Sequence, residues 1–168
     1  MVCLYIVRHA KSSWKTDGLD DFHRPINGRG RKAAPAMGHY MQQHGIQPDL
    51  ILCSAAIRAR ETLELILTAL DDEPRIEIEE DLYLASAGTL LERLRRLGDG
   101  PDSVMIIGHN PGLHDLALSM AAPGGEQVPA EKYPTAALTE LNFEGQSWAD
   151  IGPHTGDLVR FVTPRSLA

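Results

Sequence analysis

The arrangement of apolar residues along the chain predicts strands that alternate with helices. Three short apolar runs without helical period, at residues 2–7, 50–53 and 104–107, predict strands that are buried on both faces. Between these runs, apolar residues recur at helical spacing over 55–70 and 89–97, which predicts two helices. This alternation is typical of an α/β domain.

Two more helices are indicated by their starting residues. Asn27 is a suitable N-cap for a helix over 28–44, although Pro35 interrupts that pattern. Asn110 is expected to cap a further helix that begins at the following proline and ends near residue 120.

The remaining segments complete the predicted sheet. Residues 75–78 predict a brief strand, and 137–143 and 158–162 alternate apolar and polar residues, as strands with one half-covered face do. Residues 11–24 and 123–134 are polar or rich in proline and glycine, so they are predicted loops. We therefore expect one domain over all 168 residues, a three-layer α/β/α sandwich with a mostly parallel central sheet.

The composition indicates an ordinary globular domain with an acidic balance. Hydrophobic residues make up 43% and charged residues 23% of the chain, and the net charge is −7. A nucleic-acid partner is not expected, because phosphate backbones bind surfaces with a surplus of lysine and arginine. Arginine nevertheless outnumbers lysine by twelve to four. Since a guanidinium grips phosphate through two parallel bonds, some arginines are candidates for an anion site.

The lack of a visible targeting signal and the cysteine usage predict a cytoplasmic protein. No apolar run approaches the roughly 18 residues that cross a bilayer, and no signal peptide is visible, so a membrane partner is not expected. Cys3 and Cys53 lie inside apolar runs without CxxC or metal spacing. We expect buried, inert thiols in a reducing compartment.

The predicted strand ends collect the residues that carry chemistry. Arg8 and His9 follow the first strand, Arg58 lies just beyond the second, and His109 follows the third. Ligands of such sheets bind beyond the carboxyl ends of the strands, and this set of cations and imidazoles suits a tetrahedral dianion. With no Walker loop and no carboxylate cluster for magnesium, we expect neither metal nor cofactor. His9 is the candidate nucleophile, because imidazole is largely neutral near pH 7.

These residues also carry a resemblance. Residues 8–10, Arg-His-Ala after a hydrophobic strand, resemble the RHG/RHA signature of the histidine phosphatase (phosphoglycerate-mutase-like) superfamily. Residues 54–62 are similar to its S-P-x-x-R-A-x-x-T stretch, with Ala55 in place of proline. Residues 108–110, Gly-His-Asn, resemble its second-histidine motif.

The resemblance extends to the SixA-type phosphohistidine phosphatase branch. It rests on RHAKSSW at 8–14, D-x-x-R-P at 21–25, RG at 29–30 and YPTAAL at 133–138, and covers nearly the whole chain. It implies the phosphoglycerate-mutase-like fold and a metal-independent phosphatase.

The same resemblance implies roles for individual residues. His9 is expected to be the nucleophile, and Arg8, Arg58 and His109 are expected to form the phosphate pocket. Ser12, in the RHAKSSW stretch, is an expected substrate-binding residue.

One departure from the superfamily concerns the proton donor. Mutase-like members carry a glutamate acid in an L-x-E stretch, whose counterpart at 82–84, Leu-Tyr-Leu, has no carboxylate. Glu79 and Glu80 are close in sequence, but an acidic run is typical of a solvated surface. Asp21 either assists the leaving group or pairs with Arg24, and the sequence leaves both roles open.

The function predicted from the sequence is hydrolysis through a phosphorylated His9, with phosphohistidine of a signalling or phosphotransfer protein as the substrate. The alternatives are hydrolysis of small phosphate esters, a mutase, and a silent phosphate-binding module. A mutase requires a closed pocket, for which this short chain has little room. A silent binder has no need of His9.

Overall fold

A six-stranded sheet forms the centre of the computed structural model, which describes residues 1–15 and 17–168. The strands are β1 (Val2–Arg8), β2 (Leu50–Ser54), β3 (Arg75–Glu79), β4 (Ser103–Gly108), β5 (Leu138–Phe143) and β6 (Asp157–Val162). Their spatial order is β3-β2-β4-β1-β5-β6. The first four are parallel to one another, and β5 and β6 add an antiparallel edge, so the sheet is mostly parallel as predicted.

Helices cover both faces of this sheet. They are α1 (Gly28–Gln43), α2 (Ile57–Leu67), α3 (Ala87–Arg95) and α4 (Gly112–Met120). Helices α1 and α2 share one hydrophobic cluster with the sheet, and α3 and α4 share another on the opposite face. The predicted three-layer α/β/α arrangement is confirmed.

Burial on both faces explains why the sequence of strand β1 is continuously apolar. Leu4 and Ile6 pack into the cluster under α3 and α4, whereas Tyr5 and Val7 pack into the cluster under α1 and α2. Because successive side chains of a strand point to opposite faces, a strand covered on both faces favours apolar residues along its whole length. Strand β5 is buried in the same way, so the half-covered face predicted for it is wrong, whereas edge strand β6 does alternate.

The helix starts differ from the prediction at two places. Ser54 ends strand β2, and α2 begins only at Ile57. The predicted cap at Asn110 is also wrong, because α4 begins at Gly112 and the Asn110 amide instead donates to the Tyr133 carbonyl at 3.0 Å. In contrast, the Asn27 side chain caps α1 as predicted, and α1 continues through its internal proline.

The two thiols are free, and burial raises the pKa of both. Cys53 is buried and its pKa is about 12, whereas Cys3 is half-buried with a pKa of about 11. Both are therefore protonated and inert near neutral pH. Among the helices of the described residues, none is long and apolar enough to span a bilayer.

Candidate active site

The parallel pairing of β1 with β4 brings the two predicted histidines together. Arg8 is paired with Gly108 in the register of these strands, so the following residues, His9 and His109, leave the sheet side by side. Their ring centroids are 5.2 Å apart, and both residues are at most 5% exposed.

The surroundings of His9 determine its protonation. Its Nδ1 lies 2.7 Å from the Ala10 carbonyl oxygen, which can only accept, so Nδ1 carries the proton and Nε2 presents its lone pair. The Nε of Arg58 donates to that lone pair at 3.4 Å. Burial, together with the charges of nearby arginines, lowers the pKa of His9 to about 3. The ring is therefore neutral near pH 7, as a nucleophile has to be.

Arg58 lies in the first turn of α2 and is 3% exposed. Its Nη1 donates to the Asp21 carbonyl at 2.6 Å and its Nη2 to the Asp21 carboxylate at 2.9 Å. One turn later, the Thr62 hydroxyl donates to the Arg58 carbonyl and accepts from the Ala10 amide at 2.8 Å. Through Thr62, the start of α2 is tied to the loop that carries His9.

Two buried nitrogens at the site have no hydrogen-bond partner among the described residues. His109 shares a 2.7 Å hydrogen bond between its Nε2 and the Ser54 hydroxyl, but its Nδ1 is unpaired. Arg8 donates through Nη1 to the Tyr133 carbonyl at 2.9 Å, and its Nε is unpaired. Because buried polar groups are nearly always paired, these nitrogens indicate a place for ligand oxygens. Burial and the charge of Arg58 lower the pKa of His109 to about 4.

Asp21 is held as a carboxylate between two arginines. It accepts from Arg24 Nε at 3.1 Å, so the predicted pairing with Arg24 is present, and it also binds Arg58. The Tyr83 hydroxyl donates to the same carboxylate. Burial raises the pKa of Asp21, but the hydrogen bonds from Tyr83 and Arg58 outweigh this effect and bring it down to about 2. An ionised Asp21 orients Arg58 and has no proton to donate near pH 7.

Ser12 and Arg24 lie together beside the histidines. Ser12 is 8% exposed, and its hydroxyl accepts from Arg24 Nη1 at 2.8 Å. From the sequence, the one contact expected of Arg24 was a pairing with Asp21, which was itself one of two roles left open for Asp21. The position of Arg24 in the D-x-x-R-P motif was the signal that it also belongs to the site.

These residues surround a cationic cavity of about 210 Å³. It is lined by Arg8, His9, Lys11, Ser12, Trp14, Arg24, Arg58, Leu84, His109, Asn110 and Thr135. Four of these side chains are basic and none of the described lining residues is acidic, although the chain as a whole has a net charge of −7. Across the described residues, no group of three or more His, Cys, Asp or Glu side chains is arranged to hold a metal ion.

Residues 82–84, the expected counterpart of the L-x-E stretch, bring an apolar side chain to the cavity. Leu84, which this expectation places at the glutamate position, lines the cavity, while Tyr83 is turned towards Asp21. Glu80 is exposed as expected. Glu79 differs from the solvated residue predicted, because it forms hydrogen bonds of 2.7 to 3.1 Å with Arg93.

Comparison with known proteins assigns this site to a family. The model of the histidine phosphatase superfamily (branch 1) matches residues 4–90, a span that contains Arg8, His9 and Arg58. The chain belongs to this superfamily. It is similar to an uncharacterized protein of Mycobacterium tuberculosis, with 36% identity over 164 residues that cover 95% of this chain and 100% of that protein. The chain is also similar to an uncharacterized chloroplastic protein of Arabidopsis thaliana, with 30% identity over 97% of this chain and 78% of that protein.

Solved structures agree with this assignment and with the SixA-type branch. A structure from Agrobacterium tumefaciens, assigned as a SixA phosphohistidine phosphatase, superposes with a TM-score of 0.81 at 26% identity and covers 97% of this chain and 98% of its own. The protein histidine phosphatase SixA complexed with tungstate shares the fold, with a TM-score of 0.82 at 21% identity over 99% of this chain and 100% of its own. The phosphoglycerate-mutase-like fold implied by the motifs is confirmed.

Proposed function

We propose that this phosphatase accepts a phosphoryl group on Nε2 of His9 and transfers it to water, and that its preferred substrate is a phosphohistidine side chain of a protein. Membership in the superfamily supports the phosphatase class. The tautomer of His9 supports its role, because the Ala10 carbonyl holds the proton on Nδ1 and leaves the lone pair on Nε2, where its one contact is the long 3.4 Å hydrogen bond from Arg58 Nε.

In the first step, Nε2 of His9 attacks phosphorus in line as the bond between phosphorus and the leaving group breaks. Arg8, Arg58 and His109 hold the three equatorial oxygens, and two of the donors are the nitrogens that lack a partner within the protein. In the second step, water attacks the phosphorus of phospho-His9. The phosphorus–nitrogen bond breaks, phosphate leaves, and the proton of water returns to the phosphate or the imidazole.

The observation that carries the substrate assignment is the lack of a carboxylic acid among the described residues that line the cavity. Leu84 lines it where the resemblance places the glutamate acid, and Asp21 is ionised and held by Arg58. An alkoxide leaving group needs a proton donor in the site. A phosphorylated imidazole that carries a proton on its other ring nitrogen leaves as neutral imidazole, whose conjugate acid has a pKa of about 6.5, and needs no such donor. Such a site is better matched to phosphohistidine than to an ester.

Hydrolysis of small phosphate esters is the second candidate. It is supported by a partial similarity to the adenosylcobalamin/alpha-ribazole phosphatase of Escherichia coli, which is 34% identical over 65 residues. That match covers 39% of this chain and 32% of the enzyme.

Steady-state kinetics separate the two candidates. We expect kcat/KM for a histidine-phosphorylated phosphotransfer domain to exceed the values for sugar phosphates and a phosphoserine peptide by tenfold or more, about 1.4 kcal/mol of transition-state preference. A sugar phosphate turned over ten times faster than the domain would defeat the phosphohistidine assignment and leave the role of His9 intact.

A further inference from the structure

Two large apolar side chains lie exposed beside the cationic cavity. Trp14 is 74% exposed and Leu84 is 52% exposed, and both line the cavity. Single exposed apolar residues are ordinary on a protein surface. These two differ because they border the same anion pocket, so a macromolecule bound there would bury them.

Trp14 is fixed in place although solvent surrounds it. The guanidinium carbon of Arg24 lies 3.4 Å from the centre of the indole ring, which is stacking distance for a cation–π contact. Arg24 is itself 8% exposed and is held by Asp21 and Ser12. The indole is therefore an apolar surface that is already ordered before a partner binds.

Leu84 is fixed by its backbone. Its φ of 50° lies in the left-handed region, which costs a leucine about 1 kcal/mol or more and is found where the surrounding structure imposes it. The next residue, Ala85, packs against the start of α4. A Cβ at Gly112 would lie 1.8 Å from the Ala85 carbonyl oxygen, so only glycine permits this approach.

We propose that Trp14 and Leu84 form a contact surface for the protein that carries the phosphohistidine, and that they bind apolar side chains around its phosphorylated imidazole. This inference rests on the proposed function. A phosphoryl group held by Arg8 and Arg58 places the imidazole at the mouth of the cavity, so the surface around it comes to lie against the two apolar side chains. A small phosphate ester fills the cavity without covering both of them.

The test compares two substrates that share the phosphorus–nitrogen bond and differ in size. The substrates are a histidine-phosphorylated phosphotransfer domain and phosphoramidate. We expect Trp14→Ala and Leu84→Gly each to lower the ratio of kcat/KM for the domain to that for phosphoramidate by tenfold or more, mainly through KM for the domain. Trp14→Phe should restore the ratio to within about threefold of wild type, because an aromatic side chain is retained.

Two controls separate this effect from altered folding. Val159 in edge strand β6 is 42% exposed and lies outside the cavity, so Val159→Ala should leave both activities unchanged. Leu84→Gly relieves the left-handed strain but gives the unfolded chain more freedom, and because the two effects are of similar size, its thermal midpoint should stay close to that of the wild type.

The outcomes are distinguishable from those that test the proposed function. If both variants slow the domain and phosphoramidate by the same factor, the contact surface is refuted while the phosphohistidine assignment stands. If the wild-type protein hydrolyses neither substrate, the proposed function fails and this inference fails with it.

Discussion

At the scale of single residues, one hydrogen bond selects the nitrogen of His9 that can act as nucleophile. Because the Ala10 carbonyl holds the proton on Nδ1 and burial lowers the pKa of His9 to about 3, the ring should remain neutral in mild acid. At pH 5, a histidine of ordinary pKa is almost fully protonated. Nitrogen-15 NMR of labelled histidine should show His9 as the neutral Nδ1–H tautomer at pH 5, and a protonated ring there would refute this description.

The Asp21 carboxylate is expected to act through Arg58. Asp21→Asn removes a charged acceptor of Arg58, so we predict a loss of about tenfold in kcat/KM, with a similar factor for phosphohistidine and for an ester. The loss should be smaller than for Arg58→Ala, where removal of an oxyanion donor costs about a hundredfold or more. A much larger loss for the ester alone would instead indicate that Asp21 donates a proton.

The residues that the structure gathers at the cavity could be found from the sequence where they follow strand ends. Arg8, His9 and His109 needed only the prediction of two strands and the rule that ligands bind at their carboxyl ends. The role of Arg24 could not be found in this way. It reaches the cavity through contacts with Ser12 and Trp14, which belong to a loop without periodic pattern.

At the scale of elements, the start of α4 positions the segment that borders the cavity. Gly112→Ala would place a Cβ 1.8 Å from a backbone oxygen, which cannot move as a side chain could. We predict a loss of stability of about 2 kcal/mol or more and a weakened preference for the domain substrate. Gly28→Ala is the matched control. A Cβ there meets nothing within 4 Å, so this variant should be at least as stable as the wild type in thermal denaturation.

Element type was predictable, whereas element ends were decided by tertiary contacts. The apolar runs, alternation, helical spacing and helix-starting residues located all six strands and four α-helices of the described residues. The predicted start of α4 was wrong because the Asn110 side chain does not cap the helix. Its amide instead binds the carbonyl of Tyr133, a residue distant in sequence. Sequence rules for helix caps consider only hydrogen bonds between a side chain and the backbone next to it, so they cannot anticipate a partner that is distant in sequence.

At the scale of the whole molecule, the buried histidines make stability depend on pH. Their pKa values of about 3 and 4 lie below the ordinary 6.5, so below pH 6.5 the unfolded chain binds more protons than the folded one. The stabilising contribution of the two histidines is therefore fully present above pH 6.5 and is lost as the pH falls. At pH 5 the free energy of unfolding should be lower by about 2 kcal/mol per histidine. Urea denaturation at pH 7 and pH 5 measures this difference, which should be about half as large in His9→Gln. If the stability difference between pH 7 and pH 5 were the same in His9→Gln as in the wild type, the lowered pKa of buried His9 would be contradicted.

The proposed mechanism depends on a covalent phosphoryl intermediate on His9, which can be trapped chemically. Brief incubation with a phosphorus-32-labelled phosphotransfer domain, followed by a denaturing quench in base, should leave label on His9. The bond should survive base and be lost in acid, as a phosphoramidate is, and His9→Ala should show neither label nor turnover. Label on a serine, a cysteine or an aspartate, or turnover retained by His9→Ala, would contradict the account.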